Sequence, residues 1–262
     1  MTKPSLPACY FYHIPKTAGM STWQLLEWLY PEEKICPGRM WEDIIRVPMK
    51  VMGTYDAFRG HFLAYLGSYL DRELSIFTIL RDPVERTISH YSHVRRSPEH
   101  PFHAKAKVLT LAEFCLHPLT HHMVRNYQAG YLACPEKKNP RELAKRMSNE
   151  DLSAYKLQLA LDPSPGEFHD ANALYRAGYD RLRSFLAVGI TERLQESLTL
   201  IARRLGASAP PEFGRRNVGN LSGLPDDRTI GIIRACTEVD HALYCDETKR
   251  FECDLEAFSG KL

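Results

Sequence analysis

The run Leu74-Ser75-Ile76-Phe77-Thr78-Ile79-Leu80, which stops at Arg81-Asp82-Pro83, constrains the fold more than any other stretch of this chain. It is almost continuously apolar and lacks polar alternation. A strand made from it cannot turn one face to water. Such runs suit parallel strands covered by helices on both sides. Residues 8–14 form a second run, short and aromatic, bounded by Pro7 and Pro15. Weaker strand candidates lie at 57–62 and 185–188. The intervening periodicity is helical: after the first strand, over about 83–95, 109–117 and 120–132, in parts of 140–161, over about 170–182, and from Thr191 to about 205. Two more helices are expected between 226 and 258. Asp162-Pro163-Ser164-Pro165-Gly166 is a break. Asp82 suits a helix N-cap with Pro83 as the first helical residue. Strands alternating with helices predict an α/β fold with a mainly parallel sheet, and ligands in such sheets bind beyond the carboxyl ends of the strands. One domain over 1–262 is expected, with a helical insertion at about 105–165.

Composition removes several function classes. Thirty-four Lys and Arg against 32 Asp and Glu leave a net charge of +2, without the basic excess of a general nucleic-acid binder. The seven cysteines are odd in number and show no CxxC spacing, which argues against a disulfide framework or a zinc ribbon. The histidines have neither the spacing nor the company of a metal site. There is no run of 18 apolar residues and no apolar segment at the start suited to a secretory signal, so no membrane partner and a cytoplasmic location are expected.

Two loops carry chemistry. The first strand leads into Lys16-Thr17-Ala18-Gly19-Met20-Ser21-Thr22 and then a helical face that includes Trp23, Leu25, Leu26, Trp28 and Leu29. A small-residue loop opening a helix is a place for phosphate, because the first amides point outward unpaired and the dipole favours an anion. Thr17, Ser21 and Thr22 add hydroxyls, Ala18 and Gly19 permit close backbone approach, and Lys16 brings charge. The lysine precedes the loop, unlike that of a Walker A motif; an ordinary polar turn with a surface lysine is the alternative. The second place is Arg81, at the end of the long apolar run, with Ser89 on the following helix. A guanidinium fork there can grip a phosphate; an Arg81–Asp82 surface pair is the alternative. Asp82 after an apolar strand also invites an ATPase reading.

Taken together, HIPKTAGMST and ILRDPVERTISHY resemble the carbohydrate-type sulfotransferases that use 3′-phosphoadenosine 5′-phosphosulfate (PAPS), the group that includes heparan sulfate 2-O-sulfotransferase. Residues 188–198, and less specifically 122–132 and 240–251, have the same family look. The resemblance implies a three-layer fold related to P-loop kinases, with additional helices. It implies that Lys16 meets the 5′-phosphosulfate and steadies the departing phosphate, that Thr17, Ala18, Gly19, Met20, Ser21 and Thr22 wrap that group, and that Arg81 and Ser89 hold the 3′-phosphate. No metal is required. The acceptor is expected to be a hydroxyl on a sugar or small metabolite. Many animal relatives carry an N-terminal anchor; with this loop starting near residue 15, a cytoplasmic, bacterial-type enzyme is expected.

His61 is the candidate base, since a neutral imidazole can take a proton from an acceptor hydroxyl. In the 2-O-sulfotransferase relatives a His-Gly-His stretch lies here; this chain has Arg59-Gly60-His61. Arg59 is read as a possible contact for an anionic acceptor. His13 reads as structural, His90 and His93 lie on the helix after Arg81, and His121 and His122 either line an acceptor cleft or are exposed. Arg215-Arg216-Asn217 reads either as a lid in which Arg216 meets the 3′-phosphate or as a solvated turn. Trp23 and Trp28 read as core, and 137–146 as a solvated helix face. An ATP-dependent kinase and a non-catalytic nucleotide-binding protein are the competing functions.

Overall fold

The computed structural model describes residues 6–134, 138–153, 156–162, 170–213 and 225–259. Among these, β1 (Cys9–Tyr12), β2 (Ala57–Gly60), β3 (Ser75–Leu80) and β4 (Ala187–Ile190) form one sheet in the order β2-β1-β3-β4, with every neighbouring pair parallel. Tyr12 lies opposite Gly60, Phe11 opposite Phe77, and Leu80 opposite Ile190. From β1 the chain builds outward to β2 on one side and then returns to β3 on the other. The carboxyl ends of β1 and β3 therefore flank the point where the strand order reverses, which is where open parallel sheets hold ligands.

The principal helices are α1 (Gly19–Leu29), α2 (Pro83–Arg96), α3 (Tyr127–Leu132), α4 (Ala171–Ser184), α5 (Leu194–Arg204), α6 (Asp227–Cys236) and α7 (Glu238–Ser259). Because side chains alternate along a strand, the apolar runs supply both faces. Phe11, Phe77, Ile79 and Ala187 cluster with Leu25, Leu26 and Leu29 of α1 and Leu198, Ile201 and Ala202 of α5. Tyr10, Tyr12, Phe58, Leu80 and Val188 cluster with Leu174 and Leu182 of α4 and Leu243 and Phe251 of α7. Each such side chain, fully buried, contributes about 1.5–3 kcal/mol. This is an α/β fold with a parallel central sheet flanked by helices. A third cluster joins Tyr91 and Val94 of α2 to Phe114, Met123, Val124 and Ile233.

The expected boundaries shift for local reasons. The strand expected at 8–14 stops at Tyr12, because Ile14 turns its carbonyl to the Thr17 amide and hydroxyl and Pro15 has no N–H for a ladder. The strand expected to 62 stops at Gly60, where the His61 amide leaves the sheet to donate to Arg39 O at 2.8 Å. The helix expected over 120–132 is a 3₁₀ turn at His121–Met123 followed by α3. Asn126 breaks it by adopting a left-handed φ of 41°, while its side-chain oxygen accepts from the Val239 and Asp240 amides. Asp82 caps α2 as expected, accepting from Glu85 N at 3.0 Å with Pro83 first in the helix. Five cysteines are buried and reduced; Cys245 is half-buried and Cys253 exposed. No helix among the described residues is long and apolar enough to cross a membrane.

Candidate active site

A cleft of about 1110 Å³ opens across the carboxyl ends of β1, β2 and β3. Three groups of side chains line it. Arg81, Glu85, Ser89, His90 and His93 come from the end of β3 and from α2. Lys16, Ala18, Gly19, Met20 and Ser21 come from the loop after β1. Trp23, Arg39, Arg59, His61, Tyr131 and Asp162 also stand in the wall.

The loop after β1 holds two non-glycine residues in the left-handed region, Lys16 at φ 76° and Ala18 at φ 60°. Such conformations cost about 1–2 kcal/mol each, and strain of this kind concentrates at functional sites. The turn delivers α1 with its amino end at the cleft. α1 has no side-chain cap and no acid in its first turn, so its leading amides and dipole remain available to an anion. Burial, and then the neighbouring cations Arg96, Arg81 and Arg86, lower the Lys16 ammonium from 10.5 to about 8.

Thr17 and Thr22 do not line the cleft. Thr17 Oγ1 donates to Ile14 O at 2.8 Å and Thr22 Oγ1 to Ala18 O at 3.2 Å; both residues are fully buried. Their hydroxyls brace the turn. Gly19 is required for a reason the sequence does not show. A Cβ there would sit 2.3 Å from His13 Nε2.

Arg81 joins the two loops. Its backbone is clasped by Gln128, whose Oε1 accepts from Arg81 N at 3.1 Å and whose Nε2 donates to Arg81 O at 2.8 Å. Its Nη1 reaches Lys16 O at 3.4 Å and Nη2 reaches the exposed Glu85 at 3.4 Å, while Nε is buried with no partner. The ion partner of Arg81 is Glu85 rather than the Asp82 of the alternative reading. Ser89 and Glu85 share the cleft, whereas Arg86 between them in sequence is fully buried. Its guanidinium donates to Met123 O and lies 4.2 Å from the Tyr127 ring centroid.

His61 sits just past β2, stacked on His13 at 4.6 Å between ring centroids; His13 in turn stacks on Phe11 at 5.0 Å. His61 Nδ1 is 3.1 Å from the carbonyl oxygen of His13. A carbonyl can only accept, so Nδ1 carries the proton and Nε2 keeps its lone pair. The Tyr131 hydroxyl lies 3.3 Å from the same Nδ1. Burial lowers His61 from 6.5 to about 4, so the ring is neutral at physiological pH. Gln158 braces this turn. Its Nε2 donates to His61 O at 2.9 Å and to Asp162 Oδ1 at 2.8 Å, and its Oε1 accepts from Trp41 N. Burial pushes the Asp162 carboxyl up to about 6.

Tyr131, Gln158, Asp162 and Arg39 carried no sequence signal, since each reaches the cleft through tertiary packing alone. Trp23, expected in the core, is half-buried and lines the cleft, whereas Trp28 packs against the α1 face of the core. His13 stacks between Phe11 and His61 and also lines the cleft. His121 and His122 do not; His121 Nδ1 lies 2.6 Å from Cys115 O and His122 packs against Phe102. Arg215, Arg216 and Asn217 lie outside the described residues. No group of three or more His, Cys, Asp or Glu able to hold a metal ion occurs among the described residues.

A family model described as "Sulfotransferase family" matches residues 8–227, which include both loops and all four strands. No curated protein matches the chain.

Proposed function

The chain belongs to the sulfotransferase family, and from that premise we propose that it moves a sulfuryl group from PAPS to a hydroxyl of a sugar or small-molecule acceptor. The observation that carries the reading is the pair of cationic strand ends in one cleft: Lys16 after β1 and Arg81 after β3. PAPS has two separate phosphate-bearing ends, and two anion sites match it better than they match ATP. The fold is read accordingly as related to P-loop kinases.

The residues present fit such a ligand. Arg81 Nε is a buried donor without an acceptor, α1 opens without an acidic residue, and the electrostatic neighbours of Lys16 are cations. Lys16, the leading amides of α1 and Ser21 would hold the 5′ end; Arg81 and Ser89 would hold the 3′-phosphate, displacing the weak surface pair with Glu85. When bound, PAPS supplies an activated sulfuryl group on a phosphate leaving group. The chain's own residues do the rest. His61 Nε2 takes the proton of the acceptor hydroxyl while Nδ1–H stays on the His13 carbonyl. Lys16 places positive charge where the departing phosphate gains negative charge. Positioning and fixed electrostatics account for most of the acceleration in such a site.

Calorimetry with 3′-phosphoadenosine 5′-phosphate (PAP) tests the assignment. Arg81→Ala is expected to weaken binding by about 1.5–3 kcal/mol, the range for a hydrogen bond to a charged group. Equal binding by both proteins removes Arg81 from the site. Thermal stabilisation by ATP with Mg²⁺, and none by PAP, replaces sulfuryl transfer with phosphoryl transfer. PAP binding without turnover over a broad acceptor panel makes the protein a nucleotide-binding module.

A further inference from the structure

Beside the candidate base lies a cluster that the transfer chemistry does not use. The Arg59 guanidinium carbon is 3.1 Å from the centroid of the Trp23 ring, and that of Arg39 is 3.7 Å from it. Arg59 Nε, Arg59 Nη1 and Trp23 Nε1 are all buried and have no hydrogen-bond partner. Among the described residues Arg59 pairs with the carboxylate of Glu27, 3.6 Å from Arg59 Nη1, whose side chain is 57% exposed. At that distance and exposure it compensates the buried cation weakly. Three unpartnered donors with no acceptor among them are costly in a folded protein unless something fills them. All three residues line the cleft.

The cluster is tied to His61 by covalent and hydrogen-bond geometry. Arg59 precedes it by two residues on β2, and the Arg39 carbonyl accepts the His61 amide at 2.8 Å. Gly60 makes this contact possible, since a Cβ there would lie 2.4 Å from Arg39 O. Tyr131, at 3.3 Å from His61 Nδ1, and the acid Asp162, held by Gln158, also border this part of the cleft. Guanidinium groups and a carboxyl thus both line the cleft around His61.

We infer that Arg59, with Arg39 and Trp23 Nε1, forms an oxyanion subsite that selects acceptors carrying a carboxylate, sulfate or phosphate group next to the hydroxyl to be modified. The inference rests on the sulfuryl-transfer reading of the cleft. Asp162, also in the cleft wall, repels an anionic group and so favours its placement at the arginines. An Arg–carboxylate or Arg–sulfate contact is directional and charge-assisted, so the cluster sets specificity while His61 does the chemistry. One anionic group per acceptor satisfies the three donors, in keeping with a chain whose net charge is only +2.

The test uses inorganic sulfate as the probe on protein saturated with PAP, which fills the nucleotide's own anion sites. Side-chain ¹⁵Nε–¹Hε resonances of arginine report the contact, and Arg59→Gln and Arg39→Gln assign them. Saturable movement of the Arg59 resonance is expected. Affinity for sulfate should fall about tenfold in Arg59→Gln, the scale of one charge-assisted hydrogen bond, and several-fold in Arg39→Gln, an exposed position that the fold tolerates. Lys16→Ala should leave it within about twofold, since remote sites act independently. A sulfate response that survives Arg59→Gln, one that disappears in Lys16→Ala, or no saturable response at Arg59 overturns the inference. PAP calorimetry on the same samples separates the two readings: if PAP does not bind, the sulfuryl-transfer reading fails, and the sulfate titration is then read on the nucleotide-free protein.

Discussion

Lys16 ties the electrostatics of the cleft to a proton count. Its ammonium is lowered from 10.5 to about 8, first by burial and then by three nearby arginines. At about 1.4 kcal/mol per pH unit, the free site holds the charged form at a differential cost of about 3 kcal/mol. A phosphate placed against Lys16 supplies the missing counter-charge and raises the ammonium towards its ordinary value. The sign follows directly. Binding raises the pKa, so affinity is full below about 8 and declines as pH rises through that value. For a free-site value of 8, PAP binding should draw about 0.1 proton from buffer at pH 7 and about 0.8 at pH 8.5, by proton linkage. The 3′- and 5′-phosphates contribute nothing at the higher pH, because a phosphate monoester's second proton is lost near 6. Titration calorimetry at pH 8.5 in two buffers of different ionisation enthalpy measures the uptake, and Lys16→Ala should abolish it. Uptake that persists in Lys16→Ala, or that is absent in the natural protein at pH 8.5, refutes the placement of Lys16 against the anion.

Three further outcomes follow from other contacts. His61 is competent only when neutral, and with its ring lowered to about 4 the rate should hold from neutrality down to about pH 5 and fall as pH drops through about 4; His61→Ala should lose about 10²–10⁴ in turnover with PAP affinity unchanged, whereas an acid limb near 6.5 contradicts the buried environment. Thr17→Val should cost about 1–2 kcal/mol in urea unfolding, from the lost bond to Ile14 O, and leave PAP affinity within about twofold; a large affinity loss would return that hydroxyl to the ligand. Asp240 accepts the buried Gln128 and Ala129 amides at 3.1 and 2.7 Å, so Asp240→Ala should destabilise by about 2–3 kcal/mol as both lose their acceptor. The same change should loosen Gln128, the clasp of Arg81, which PAP calorimetry would show.

Much of the sheet was legible from residue order. The apolar runs ending at Ile14 and Leu80 mark strands buried on both faces, and Asp82-Pro83 marks a helix start, because capping and φ restriction act over a few residues. The strand ends were less legible. Tyr12 and Gly60 end their strands through contacts made by Ile14 and Arg39, and a residue as far along the chain as Arg39 leaves no local trace on His61.

The cleft divides along the same line. Lys16, Ser21, Arg81, Ser89 and His61 could be picked out because a loop at a strand end places its own residues near the sheet edge whatever the rest of the chain does. Thr17 and Thr22 turn their hydroxyls to backbone carbonyls and Arg86 packs on Tyr127, because which way a side chain points in a turn or helix depends on what it packs against. Tertiary structure alone decided that His13 fills the space Gly19 leaves, and that the His13 carbonyl sets the tautomer of His61. It alone brought Asp162, Tyr131, Arg39 and Trp23 into one cleft with that ring. The sequence by itself determined a parallel α/β sheet with two cationic strand ends, since strand periodicity and loop chemistry are local. The protonation state of His61 and the polarity around it belong to the fold, because burial and long-range hydrogen bonds exist only once distant segments meet.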